Sequence, residues 1–151
     1  MISDQHKTRY LNIEGQEVPV WIYGDEKNPL IYFVHGYFRG FSEYIGDLPM
    51  RYLMKNYCVI AFDLPGFGHL KQTKMDRITF IAQVIENTSK GRRFVLFGVS
   101  YGGLLVIKYF LKYPEKVKGI ILGGMPYYFG IRKIVNVVHS LPFINKLNIL
   151  K

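Results

Sequence analysis

Five consecutive residues, Gly98-Val99-Ser100-Tyr101-Gly102, set a serine between two glycines at G-x-S-x-G spacing. An apolar run, 94–97, precedes them, and an apolar stretch with helical character, 104–113, follows and stops at Pro114. A sharp strand-to-helix turn projects such a serine from the carboxyl edge of a sheet, at the positive end of a helix. Gly98 and Gly102 suit that turn, because side chains there would strike neighbouring backbone. The backbone N–H of Tyr101 then points where an oxyanion would form. The competing reading is a bare junction with a chance serine. The strand before and the helix after favour the nucleophile.

A second segment, His35-Gly36-Tyr37-Phe38-Arg39-Gly40, directly follows the apolar run Leu30–Val34. A glycine-rich turn there can aim another N–H at the same oxyanion, that of Tyr37 or that of Phe38. The His35 imidazole reads better as a structural group bonded to loop backbone than as a base. A third segment, Asp63-Leu64-Pro65-Gly66-Phe67-Gly68-His69, follows the apolar run 57–62. Its proline and glycines make a rigid turn. Asp63 reads as a brace for that turn, and His69 as a solvated or pocket-rim residue. Tyr37, Phe38, Phe67, Tyr101, Tyr127 and Tyr128 near the expected strand ends suggest an apolar pocket, with His35, His69 and Met125 beside it. Each aromatic taken singly is equally readable as core.

The elements that must hold these residues alternate. Segments 7–13 and 17–23 read as strands about a turn at 14–16. Leu30–Val34, 57–62, 94–97 and 117–122 are short continuous apolar runs, the pattern of strands buried on both faces. Between them, 48–56, 75–88 and 104–113 have helical spacing, with Ile78, Ile81, Ala82 and Ile85 on one face of the second. Buried strands alternating with helices give an α/β fold, a mainly parallel sheet with helices on both faces.

These three motifs, in this order and on these elements, resemble the α/β-hydrolase superfamily, nearest to its esterase, lipase and aminopeptidase-like members. The resemblance spans about residues 8–130. It implies Ser100 as nucleophile, Tyr37 and Tyr101 as backbone oxyanion donors, and Gly36, Gly98 and Gly102 as motif glycines. It implies a serine hydrolase acting on small ester, amide or thioester substrates, needing no cofactor or metal. Residues 1–129 then form a partial hydrolase core, with 117–122 outside the 94–97 strand. Residues 130–151 form the start of a helical cap.

The family order of nucleophile, acid and histidine is not met downstream of Ser100. Glu115 is the one acid there and His139 the one histidine. Glu115 falls at the far end of the helix that starts at the serine, about 20 Å away. The chain therefore reads as the first part of such an enzyme, its strand 117–122 left as an open edge. A second polypeptide completing the fold is one expected partner. A non-catalytic homologue, pairing through that edge or a basic tail, is the alternative function.

Charge agrees with a missing complement. The net charge of the 151 residues is +9, yet residues 88–151 carry 11 basic groups and one acid. No nucleic-acid motif accompanies these charges, so no nucleic-acid partner is expected. The apolar stripe Ile131, Ile134, Val135, Val138 and Leu141, flanked by Arg132 and Lys133, reads as a solvated cap helix rather than a membrane-surface anchor. Lone Cys58, in an apolar run and without an N-terminal secretory pattern, points to a buried thiol in a cytoplasmic protein.

Overall fold

The computed structural model describes residues 6–43 and 50–124. Chain order is β1 (His6–Ile13), β2 (Gln16–Tyr23), β3 (Leu30–Val34), α1 (Met50–Leu53), β4 (Cys58–Phe62), α2 (Arg77–Ser89), β5 (Phe94–Val99), α3 (Tyr101–Lys112) and β6 (Val117–Gly123). The six strands form one sheet in the order β1-β2-β4-β3-β5-β6. The β1–β2 and β2–β4 pairs are antiparallel. The β4–β3, β3–β5 and β5–β6 pairs are parallel, which brings the carboxyl ends of four strands to one edge.

Local chemistry sets the ends of these elements. Glu14 (φ 50°) and Gly15 (φ 74°) both take the left-handed conformation, as a two-residue hairpin turn demands. Asp76 caps α2 by accepting from the N–H groups of Ile78 and Thr79. Lys90, left-handed at φ 54°, ends it.

The sheet is buried on two faces by different elements. On one, Val20, Ile22, Tyr32, Val34, Ile60, Phe62 and Leu96 pack with Phe80, Ile81, Val84 and Ile85 of α2 and Leu105, Val106 and Tyr109 of α3. On the other, Trp21, Tyr23, Ile31, Phe33, Val59 and Ala61 pack with Phe41 and with Met50 of α1. Helices thus cover both faces. Cys58 is a free, buried thiol whose pKa burial pushes up.

Three expectations from sequence shift. The helix expected over 48–56 is a single turn, Met50–Leu53; residues 48 and 49 lie outside the described residues. It stops because the N–H groups of Asn56 and Tyr57 both turn back to the Leu53 carbonyl. That turn sits so close to Gly24 that a Cβ there would lie 2.3 Å from the Tyr57 carbonyl oxygen. Second, Tyr57 is left outside β4, and the strand starts at Cys58. Third, β5 runs on to Val99 and α3 starts at Tyr101, so the junction between them is one residue wide.

Among the described residues β6 is the outer strand beside β5, with Ile121 42% and Leu122 44% exposed. No described helix is long and apolar enough to cross a membrane. The cap expected over 130–151, its boundary at 129, Met125, Tyr127, Tyr128 and His139 lie outside the described residues.

Candidate active site

Ser100 is the single residue between β5 and α3, at φ 51° and ψ −115°. Glu14 and Lys90 also have positive φ, but in a hairpin turn and a helix end, where that conformation is routine. A non-glycine residue held at the φ and ψ of Ser100 stores roughly 1–3 kcal/mol of strain, which surrounding structure must enforce. The flanking glycines show how it is enforced. A Cβ on Gly98 would lie 2.5 Å from the Gly102 carbonyl oxygen. A Cβ on Gly102 would lie 2.1 Å from the Val34 carbonyl oxygen and 2.5 Å from that of His35. The first turn of α3 therefore rests directly on the end of β3. The Ser100 N–H donates to the Gly123 carbonyl at 2.9 Å, and its carbonyl accepts from the Gly103 N–H at 2.9 Å. Its hydroxyl caps no N–H of α3 and is not spent on the helix.

The loop after β3 is laid against this turn. A Cβ on Gly36 would sit 3.5 Å from the Ser100 Cβ and from the Val99 carbonyl oxygen. Backbone at 36–37 is thus a near neighbour of the serine. His35 is fully buried beneath it. Its Nε2 accepts from the Leu64 N–H at 2.9 Å, which places the ring proton on Nδ1, donating to the Gly36 carbonyl at 2.6 Å. The imidazole ties the β3 loop to the β4 loop with both nitrogens engaged.

Asp63, at the end of β4, is fully buried. Its carboxylate accepts from the Ser42 N–H (3.0 Å), the Ser42 hydroxyl (2.9 Å) and the His69 N–H (3.0 Å). Gly40 and Gly68 pack so tightly on it that a Cβ at either would lie 2.6 Å or less from a carboxylate oxygen. Asp63 joins the loops after β3 and β4. The His69 side chain is 69% exposed, 3.4 Å from Asp63, and its ring lies 6.4 Å from that of Trp21 on β2. Three strand spacings, about 14 Å, separate β2 from β5. The described contacts of His69 are with Asp63 and Trp21, and none is with Ser100.

Four aromatic residues do gather at this edge. Tyr37 packs edge-on against Phe67 (5.4 Å between ring centres) and Tyr101 (5.5 Å), and Phe38 leans on Tyr37 at 6.0 Å. Phe38 is 94% exposed, so it is no part of a closed core. Arg77 joins this cluster, donating to the Tyr101 hydroxyl at 3.1 Å. Nothing in the sequence had singled out Arg77. Its one visible signal is its place in the first turn of α2, just after the capping Asp76.

A family model described as the alpha/beta hydrolase fold matches residues 29–143. The chain belongs to that family. It is 28% identical over 121 residues to proline iminopeptidase PfmaB of Pestalotiopsis fici, covering 76% of this chain and 43% of that protein. It is 30% identical over 133 residues to the (lyso)-N-acylphosphatidylethanolamine lipase of Mus musculus, covering 80% and 38%. The crystal structure of a predicted CIB-like hydrolase from Thermoplasma acidophilum superposes with a TM-score of 0.66 at 29% identity, covering 78% of this chain and 61% of that one. The chain spans less than half the length of these curated relatives.

Within that family frame the described residues supply a serine on its turn and the backbone beside it. After Ser100 they hold one acid, Glu115, beyond the far end of α3. They contain no group of His, Cys, Asp and Glu able to hold a metal ion.

Proposed function

We propose that Ser100 is the nucleophile of an acyl hydrolase acting on a small ester, amide or thioester. The backbone N–H groups of Tyr37 and Tyr101 form its oxyanion hole. The supporting observation is the strained backbone of Ser100 between β5 and α3, with Gly36 packed against its Cβ. One relative is named an iminopeptidase and another a lipase, consistent with attack at an acyl carbon.

In this reading the Ser100 Oγ forms a bond to the substrate carbonyl carbon, and the carbonyl electron pair moves onto oxygen. The proposed N–H donors and the positive end of α3 stabilise that charge. The Oγ proton passes to a general base, and the leaving group departs with a proton. Water then releases the acyl group from Ser100. We place the base and its acid partner outside the described residues, because His35 is committed to backbone and the described contacts of His69 are with Asp63 and Trp21. Tyr37, Phe38, Phe67 and Tyr101 supply apolar surface for the acyl group.

A fluorophosphonate probe tests this directly. Stoichiometric labelling of Ser100, absent from Ser100→Ala, is the expected result. A folded chain that stays unlabelled, or a variant that still labels, overturns catalysis by this polypeptide.

A second reading has its own observation. Among the described residues β6 is the outermost strand, with Ile121 and Leu122 exposed, and it offers an edge for another polypeptide. Sedimentation that shows a self-associating chain, converted to monomer by Leu122→Lys, supports pairing through that edge.

A further inference from the structure

Arg77 belongs to no motif, yet its guanidinium sits where the parts of the site meet. Nη1 donates to the Tyr101 hydroxyl at 3.1 Å, and Nη2 donates to the Pro65 carbonyl at 3.4 Å. Its Cζ lies 5.5 Å from the Phe67 ring centre and 5.6 Å from that of Tyr101. Cations are attracted to aromatic faces at such distances. Tyr37 leans edge-on against these same two rings. One side chain at the start of α2 thereby joins the loop after β4, the first residue of α3 and, through two rings, residue 37.

Fold stability alone is a poor account of an arginine here. The Nε of Arg77 is buried without a hydrogen-bond partner among the described residues. A buried orphan donor is unfavourable. A methionine would fill much the same space against the two rings and remove that orphan, giving up only the bonds to the Tyr101 hydroxyl and the Pro65 carbonyl.

We infer that Arg77 is a positioning residue for the oxyanion hole. It fixes Tyr101 by hydrogen bond and ring contact, and it fixes Tyr37 through Phe67 and Tyr101. An oxyanion hole works only with its donors held about 2.7–3.1 Å from the developing charge. Small displacements of either residue weaken transition-state binding more than substrate binding. This inference rests on the proposed roles of Ser100, Tyr37 and Tyr101.

The test uses Arg77→Met and Arg77→Lys in the full chain, with two readouts. In the first, fluorophosphonate labelling of Ser100 is followed against probe concentration. Arg77→Met lowers the limiting rate about tenfold and leaves the half-saturating concentration within twofold. Arg77→Lys, which keeps the charge and a single donating nitrogen, recovers to within about threefold of wild type. Equal loss in both kinetic parameters, or no loss, overturns the inference.

The second readout needs no chemistry. Amide resonances of both Tyr37 and Tyr101 move in Arg77→Met, although no described contact joins Arg77 to Tyr37. Changes confined to α2 and Pro65 overturn the inference, even if wild type never labels and the nucleophile reading has failed separately. Should Arg77→Met not fold, Tyr101→Phe removes only the acceptor hydroxyl and must shift the Tyr37 amide likewise.

Discussion

Two turns lie along one edge of the sheet, both glycine-rich and both built from a strand ending. After β4, Asp63 is fully buried and every described contact of its carboxylate closes a loop. After β5, Ser100 is held at positive φ, and its hydroxyl caps nothing in the helix that follows. Similar backbone chemistry serves opposite ends. A polar group spent on neighbours stabilises the scaffold, whereas one kept unspent at a strained position is available to a ligand. The difference between scaffold and site lies in where the hydrogen bonds go, more than in which residue types are present.

The sharpest way to break this contrast is at the glycines. Gly102→Val sets a Cβ 2.1 Å from the Val34 carbonyl oxygen. It is expected to cost more than about 4 kcal/mol, in the range that unfolds small domains. A urea midpoint near wild type would break the claim that α3 is jammed against β3. Gly36→Ala, whose Cβ finds ordinary contacts at 3.5 Å, is expected to lose under about 1 kcal/mol.

Next in size is Asp63→Ala. It strands the N–H groups of Ser42 and His69 and the Ser42 hydroxyl, and is expected to lower unfolding free energy by about 2–4 kcal/mol. A loss below about 1 kcal/mol in urea titration would remove the distinction between the two turns.

Ser100→Gly should do the reverse. Relief of roughly 1–3 kcal/mol of strain outweighs the added chain entropy of a glycine, about 0.5–1 kcal/mol. The expected net gain is about 1 kcal/mol, with fluorophosphonate labelling abolished. A destabilised variant would mean that the serine is not strained in solution.

A change at a helix cap sharpens the scaffold side. Asp76 is held below the ordinary carboxylate range, first by the Thr79 hydroxyl and then by the Thr79 and Ile78 N–H groups. Its folded pKa is depressed, so its contribution is complete above the unfolded value, about 3.9, and is lost as pH falls through the folded one. Asp76→Ala is expected to cost about 1 kcal/mol at neutral pH. Melting curves of the two proteins should converge only below about pH 4.

Much of this architecture was legible before any coordinates. Continuous apolar runs marked β3 and β5 because buried parallel strands have no polar face. The glycines at 98 and 102 marked the turn, because only they fit where two backbones nearly touch. Asp63 was readable as a brace from the Pro-Gly turn that follows it. The short α1 was not, because it ends where the 54–57 turn packs on Gly24, about thirty residues earlier in the chain and outside any local pattern. Arg77 was invisible for a similar reason. Its meaning depends on Pro65, Phe67 and Tyr101, which only the tertiary fold brings to it.

The bond from the Ser100 N–H to the carbonyl of Gly123 carries a mechanical consequence. It moors the Ser100 turn to the last residue of the outermost described strand. A displacement of the end of β6 therefore pulls on the backbone of Ser100 through this bond. The margin of the described sheet is thus mechanically coupled to the strained residue that the ends of two strands share.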